Sequence, residues 1–365
     1  MFEGKQVKKI GKSVFEKTFL ENAASYRRLQ TAAHGIIENS LIDCQVKHLP
    51  ISSRLKSIDS AWQKYQSKNY TSPFSDMTDF LGFRVIVFLE SDISIVRDTI
   101  KENLLIDDDK SIDKLKPNRP DSVGYRSLHL ICSLGEDRAS LPEYKNITQQ
   151  KFEIQIRTVL QHAWAEIEHQ KNYKGEHVLP HDLQHRLMLL AGSLEILDRE
   201  FSSISATANE YVANILKGSA EHSDDGLSGI AIDAYLQEVF GKHGAVAPSL
   251  SRLGDSAEIL EELNDFGVTT NADFRNLIES VNIGILIEHY NGRPSTNIHG
   301  LIRDMMIFFD AARYFEEAFK NRWGGTSIHD IPYLKEGTGR SDIATLLRMH
   351  DIELYDDEAD SFWNA

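Results

Sequence analysis

The chain has 365 residues, with 40 Lys+Arg against 55 Asp+Glu and a formal net charge of -15 at neutral pH. Hydrophobic residues make up 41% and charged residues 26%, ordinary globular composition, and the length predicts about two domains, each able to bury its own core. Cys44 and Cys132 are the only cysteines and no apolar run approaches the ~20 residues that span a bilayer, so disulfide-built and membrane-spanning classes are excluded. The opening MFEGKQVKKIGKSVF has basic residues without an apolar segment, so no export signal is expected and the expected compartment is the cytoplasm.

In chain order, Lys12–Asn39 predicts a helix, with Phe15, Phe19, Ala23, Tyr26, Leu29 and Ala33 on one face. An extended piece ending near Ser53 follows, then a helix from about Ser57 with Ser60 and Lys64 one turn apart. FLGFRVIVFLE predicts a buried strand beginning near Arg84, and SDISIVRDTIKENL an amphipathic helix. After a charged loop over Asp107–Val123, YRSLHLICSL and KFEIQIRTVL predict two more strands, and QHAWAEIEHQKNY and HDLQHRLMLLAGSLEILDREFSSI two more helices. Helices and strands therefore alternate around a small mixed sheet, an α+β or α/β arrangement. Residues 221–365 carry 26 acidic and 11 basic residues, the whole of the net charge, and LKGSAEHSDDGLSG at 216–229 marks a boundary. The expected division is a first domain over 1–220 and an acidic one over 221–365. The latter is mostly helical, with helices over Ile230–Phe240, Asp255–Phe266, Asn271–Val281 and Thr296–Asn321, and with DIELYDDEAD as a solvated tail. In the longest of these helices Ile298, Ile302, Met305, Met306, Phe309, Ala312, Phe315 and Phe319 form a broad apolar face.

Chemistry concentrates in the first domain. Arg54 and Lys56 alternate on an extended backbone and Lys64 follows on the next helix, three cations suited to a triphosphate. Asp79 stands at the mouth of one strand, ahead of Gly82 and Arg84. Glu153, Gln155 and Arg157 alternate along another, whose opposite face carries Phe152, Ile154 and Ile156. An acidic residue on each of two neighbouring strands makes a pair of hard oxygen ligands for Mg²⁺. Tyr125, Ser127 and His129 add an aromatic platform and polar groups, completing a set fit for phosphoryl transfer. Taken singly, each feature also has an ordinary reading: a solvated cationic face, a capping aspartate, the wet side of a half-exposed strand, a core-edge tyrosine.

Together, SRLKSIDSAWQK (53–64), DFLGFR (79–84), GYRSLH (124–129), FEIQIRT (152–158) and AWAEIEHQKNYK (163–174) resemble the RelA/SpoT synthetases, the alarmone pyrophosphokinases, over about residues 12–210. The resemblance implies a nucleotidyltransferase-like mixed sheet flanked by helices. It also implies transfer of the β,γ-pyrophosphate of ATP to a ribose 3′-hydroxyl, usually of GDP or GTP, giving (p)ppGpp. On that likeness Arg54 and Arg84 hold the adenine and Lys56 the ATP phosphates, with Ser60 and Lys64 on the same site. Asp79 and Glu153 are the catalytic, Mg²⁺-binding carboxylates, and Glu153 binds metal or activates the attacking hydroxyl. Tyr125 stacks on the acceptor base, with Arg126, His129, Gln155, Arg157 and His162 lining the acceptor side. Two departures concern that acceptor. Asp121 stands about where guanosine-using members have a lysine, although Lys114, Lys116 and Arg119 are nearby, and His162 stands where short synthetases have an asparagine. An adenine nucleotide or a tRNA 3′ end therefore remain alternative acceptors beside GDP and GTP, as for toxin-like relatives. A non-catalytic nucleotide sensor is the reading from another class, against which the intact Asp79 and Glu153 speak.

About 50 residues precede Arg54, too few for the hydrolase domain of bifunctional relatives, so no hydrolase is expected. His181–Asp182, His329–Asp330 and His350–Asp351 are taken as chance pairs, and His177, His181 and His185 as an exposed helix face rather than a Zn²⁺ site. The acidic domain shows no nucleic-acid-binding pattern and no DNA partner is expected; its expected roles are regulation of the first domain or binding of a partner or second copy.

Overall fold

A computed structural model describes residues 10–68, 70–113, 127–171, 180–217, 223–248, 255–290 and 298–356. Two compact units divide between Ser205 and Ala206, inside a helix and ahead of the polar stretch at 216–229.

In the first unit, helices α1 (Lys12–Asp43), α2 (Ile58–Ser67), α3 (Pro73–Asp76), α4 (Glu90–Asn103), α5 (Val159–Lys171) and the start of α6 (His181–Leu216) accompany strands β1 (Ser52–Leu55), β2 (Leu81–Val87), β3 (Leu105–Ile106), β4 (Ile112–Asp113), β5 (Leu128–Ser133) and β6 (Phe152–Thr158). The strands form one mixed sheet in the order β1-β2-β6-β5-β3, with β4 also on β5. Only β2 and β6 run parallel; β1 pairs antiparallel with β2, and β5 with β6. This is the mixed α+β architecture expected from the alternation of elements. The charged stretch expected as a loop from Asp107 contributes the short β4, because Ile112 finds a backbone partner in His129 of β5.

The sheet has one dry face. Leu81, Phe83, Val85 and Val87 of β2, Phe152, Ile154 and Ile156 of β6, and Leu128, Leu130 and Cys132 of β5 are buried together with Phe15, Phe19, Tyr26, Leu29, Ala33 and Ile37 of α1 and Ile93, Val96 and Ile100 of α4. Strand side chains alternate between faces, so burying one set turns Arg84, Glu153, Gln155 and Arg157 to the other side. Phe80 anchors the lead-in to β2: it is fully buried, stacks on Phe74 with ring centroids 5.4 Å apart, and meets Phe19 and Tyr26.

The strand-to-helix turn after β6 is closed by a reciprocal pair of bonds. The Gln161 amide donates to Thr158 Oγ1, and the Thr158 amide donates to Gln161 Oε1, the pattern of a capping box. Thr158 Oγ1 in turn donates to the buried Asp198 at 2.6 Å, which gives an otherwise costly carboxylate a partner.

The second unit contains the rest of α6, then α7 (Gly229–Lys242), α8 (Asp255–Asp265), α9 (Asn271–Ser280), α10 (Ile283–Tyr290), α11 (Ile298–Arg313), α12 (Ile331–Thr338), α13 (Ile343–Met349) and a parallel pair, β7 (Gly325–Ser327) and β8 (Glu353–Tyr355). It is mostly helical, as its periodicity predicts, with two corrections. The long helix expected over Thr296–Asn321 breaks at Asp310 (φ -158°, ψ 95°) and continues past Arg313 as one wide turn, leaving Phe309 exposed while Phe315 and Phe319 stay in the core. The acidic stretch expected as a solvated tail supplies Ile352 to the core and β8 to the small sheet; its residues from 357 lie outside those described.

Truncation of Phe80 to alanine should lower the stability of the first unit by about 3–5 kcal/mol, the usual cost of an aromatic cavity. Denaturant unfolding followed by hydrogen exchange of β2 amides checks this.

Candidate functional site

The polar face of the sheet carries a cleft of about 520 Å³ lined by Arg54, Lys56, Asp79, Gly82, Arg84, Glu153 and Gln155, among others. Its size lies within the range of small-molecule sites. Register explains how residues a hundred positions apart meet. Arg54 pairs with Gly82, and Gly82 with Glu153, so three strands put one row across the cleft floor. Arg84 pairs with Gln155, and Gln155 with His129, to form the next row. Gly82 keeps the first row open: a Cβ there would meet nothing nearer than the Glu153 backbone oxygen at 4.0 Å.

Asp79 lies in the lead-in to β2, where the Lys56 amide donates to the Phe80 carbonyl and joins the two segments. Its Oδ2 accepts from both ammonium groups, Lys56 Nζ and Lys64 Nζ, the latter at 2.7 Å. Ser57 Oγ accepts from the Ser60 amide at the start of α2, and that helix delivers Lys64. Burial alone would push the Asp79 carboxyl upward; hydrogen bonds and charge from Lys56 and Lys64 outweigh it and hold the group below the usual carboxylate range. Burial presses the Lys64 ammonium down, and Asp79 carries it above its ordinary value. Asp79 Oδ1 is buried and has no hydrogen-bond partner among the described residues.

Glu153 belongs to a chain of polar groups across β5 and β6. His129 Nδ1 lies 2.7 Å from Glu153 Oε1, and Ser127 Oγ 2.7 Å from His129 Nε2. Gln155 Nε2 donates to Glu153 Oε2 at 2.8 Å, and Arg157 donates to Gln155 Oε1 at 3.0 Å. Desolvation raises the Glu153 carboxyl, but the bond and charge of His129 and the Gln155 amide bring it below its ordinary value, while nearby Asp79 opposes them. The charge of Asp79 is thus felt at Glu153. On the far wall, Glu166 Oε1 accepts from Arg84 at 3.0 Å and lies 3.8 Å from His162 Nδ1. Burial and Arg84 lower the His162 imidazole, so it is neutral at pH 7.

The structure thus brings together Arg54, Lys56, Lys64, Asp79, Arg84, Glu153 and Gln155 around one cleft and its Asp79 carboxylate, with His129, Arg157 and His162 one contact behind. Ser60 instead serves the helix start. Tyr125 and Arg126, expected on the acceptor side, and Asp121, Lys114, Lys116, Arg119 and His177 lie outside the described residues. His181 and His185 are both exposed. Glu166 went unassigned in the sequence; its four-residue spacing from His162 was the available sign.

A hard divalent cation fits these donors. Asp79 offers an oxygen with no protein partner, and Glu153 is ionised and keeps lone pairs beyond its two hydrogen bonds.

A family model described as the region found in RelA / SpoT proteins matches residues 53–178. The GTP pyrophosphokinase YwaC of Bacillus subtilis (strain 168) is 33% identical over 166 residues, 43% of this chain and 75% of that protein. The chain belongs to the RelA/SpoT family. A second member from the same organism, GTP pyrophosphokinase YjbM, is 27% identical over 206 residues, 54% of this chain and 92% of its own. The crystal structure of small alarmone synthetase 1 from Bacillus subtilis, 23% identical, covers 53% of this chain and 99% of its own at a TM-score of 0.44. The family match spans every site residue named above.

Two measurements follow from this geometry. The depressed Asp79 pKa makes its ion pairs stabilising above the unfolded carboxylate pKa near ~4, and that contribution is lost as pH falls through the lower folded value. Asp79→Asn should therefore be less stable than the parent at pH 7 and lose less stability on acidification, measured as urea midpoints at pH 7 and pH 3. Gly82→Val should keep the fold, with an unchanged thermal midpoint, and weaken binding of a non-hydrolysable ATP analogue by about tenfold or more, since its side chain enters open space in the cleft. Calorimetric titration of that analogue reads the loss.

Proposed function

We propose that the chain is an ATP-dependent pyrophosphokinase that transfers the β,γ-pyrophosphate of ATP to the 3′-hydroxyl of a guanine nucleotide, GDP or GTP. The single observation that carries this is that Asp79 and Glu153 line one cleft together with Arg54, Lys56 and Arg84, the last paired with Glu166. Family membership and relatives named GTP pyrophosphokinase support the same reaction class.

On this reading the 3′-oxygen bonds to the β-phosphorus, the bond from that phosphorus to the oxygen bridging to the α-phosphate breaks, and AMP departs. Lys56 and Lys64 lie where phosphate oxygens would replace the Asp79 carboxylate as their partner. Arg54 and Arg84 border the cleft as planar guanidinium groups able to stack on adenine, and Glu166 orients the second of them. Glu153, ionised and fixed by His129 and Gln155, accepts the proton of the attacking hydroxyl. Asp79 Oδ1 and Glu153 would hold Mg²⁺, which supplies charge neutralisation on the phosphates when bound. His129, Gln155, Arg157 and His162 form the acceptor side together with Tyr125 and Arg126. The acidic region 221–365 acts as a regulatory or interaction module, and the enzyme works in the cytoplasm. Among the described residues no helix is long and apolar enough to cross a membrane.

Incubation with γ-labelled ATP, Mg²⁺ and, separately, GDP, GTP, ATP or tRNA tests the reading. Label should move to the guanine nucleotides; transfer only to ATP or tRNA would replace the acceptor, and transfer to none with folded protein would overturn the reaction. Glu153→Gln should lower transfer at least about a hundredfold, the usual contribution of a positioned base, while ATP-analogue affinity changes little. Single-turnover transfer and calorimetry separate the two effects.

A further inference from the structure

Helix α6 meets the first unit through a polar residue where a docking helix ordinarily puts an apolar one. Among its residues 181–205 only Ala191 and Asp198 are buried. The Asp198 carboxylate accepts from Thr158 Oγ1 at 2.6 Å, and Thr158 ends β6 directly before Val159 opens α5. One turn further along α6, Ser202 Oγ accepts from the Ser91 amide at 3.3 Å, in the first turn of α4. That turn has no side-chain cap of its own, so α6 supplies the acceptor. Residues four apart share one face of a helix, so a single stripe of α6 bonds to the joints that follow both parallel strands. The joints are neighbours, since Val87 pairs with Thr158 at the end of the β2–β6 ladder. Asp198 and Ser202 both stand beyond the residues 53–178 that match the family.

A carboxylate partner also sets the direction of the bonds at the second joint. The Thr158 hydroxyl has one proton and spends it on Asp198, which turns its lone pairs to the Gln161 amide at 3.0 Å. The Thr158 amide returns a bond to Gln161 Oε1 at 3.1 Å. Thr158, Gln161 and Asp198 are all buried, where water does not compete for these bonds. An apolar side chain would pack at position 198 for less than a carboxylate costs, so stability alone is a poor account of Asp198.

This joint has leverage over the cleft. Beyond it α5 carries His162 and Glu166, and Glu166 holds Arg84 at 3.0 Å. With a rise of about 1.5 Å per residue, Glu166 stands about 12 Å along α5 from Thr158, so a tilt of about 10° displaces it by about 2 Å. That displacement breaks the bond to Arg84. Glu153 is fixed instead by His129 and Gln155 on the strands, and keeps its place when α5 tilts.

We propose that Asp198 is a positioning residue for substrate binding. Acting through Thr158, it holds α5 at the angle that keeps Glu166 on Arg84 and His162 at the cleft, and it takes no part in the chemical step. The assignment rests on the pyrophosphokinase reading for its substrates. Its signature is the reverse of that expected for Glu153→Gln: binding weakens while turnover survives.

The test uses the full chain. Asp198→Ala removes the acceptor; it should weaken binding of a non-hydrolysable ATP analogue about tenfold by calorimetry and raise the KM for GDP about tenfold, with kcat within about threefold of the parent. Thr158→Val removes the same bond from the other side and should show the same losses. The double variant should be no worse than either single one, because both act through one bond. Asp198→Asn and Thr158→Ser keep an acceptor and a hydroxyl, and should bind the analogue at near-parent affinity. Val96→Ala, in the dry core, is the stability control and should lower the thermal midpoint with analogue affinity and KM unchanged. Parent-like affinity and KM in folded Asp198→Ala and Thr158→Val, additive losses in the double variant, or a fall in kcat alone would overturn the proposal. If Asp198→Ala fails to fold, Thr158→Val against Thr158→Ser makes the same decision. A parent that binds the analogue but transfers label to no acceptor overturns the reaction alone, and the affinities of the variants still decide the role of Asp198.

Discussion

Two lysines and two carboxylates share the wet face of one sheet, and the rest of the first unit exists to make that tolerable. Asp79 receives both ammonium groups on a single oxygen, and burial that would otherwise neutralise it is outweighed by their charge. Under the proposed function, phosphate oxygens would bring the lysines the same kind of partner, while the second Asp79 oxygen would take a metal ion. An ion pair of this sort is weak evidence for stability and stronger evidence for a site, because apolar packing would hold the same elements at less cost.

What holds the charges in place is hydrophobic. Burying the alternate residues of β2, β5 and β6 against α1 and α4 forces their neighbours outward in fixed register, and the parallel β2–β6 pairing sets Gly82 beside Glu153. The chain of bonds from Ser127 through His129, Glu153 and Gln155 to Arg157 then orients the second carboxylate without a second lysine. The two acids thus differ in kind. One is held by the ammonium groups of Lys56 and Lys64, and the other by polar groups on the strands themselves. Under the proposed function, that difference assigns the metal-and-phosphate role to Asp79 and the proton-accepting role to Glu153.

The second unit solves a related problem with other means. Its core buries Glu262 by surrounding it with Arg303, Tyr314 and, through Tyr314, Trp323. Asp304, one residue along the same helix from Arg303, accepts from the hydroxyls of Tyr290 and Tyr333. Adjacent positions on a helix point about 100° apart, so one charge is spent inside the core and the next faces a half-open pocket. The acidity of this region is therefore not only a solvated surface, since part of it is built into the interior.

Local pattern alone was enough for the α+β class, the three central strands of the sheet, the outward set Glu153, Gln155 and Arg157, and the helices of the second unit with short periods. Each of these is written in spacing of two or near four residues, which the backbone itself imposes. The tight motifs around Arg54, Asp79 and Glu153 also carried the family likeness. Other features needed the folded chain. The Lys56–Asp79–Lys64 cluster, the Arg84–Glu166 contact and the Thr158–Asp198 bond join residues 15 to 82 positions apart, and nothing in any one segment names the partner. The break at Asp310 and the strand made from Glu353–Tyr355 override good local patterns, because the core claims Phe315 and Ile352 and the chain bends to deliver them. The setting of Asp304 between Tyr290 and Tyr333 was invisible for the same reason: it is made by several elements together, and the sequence of each records only what that element contributes.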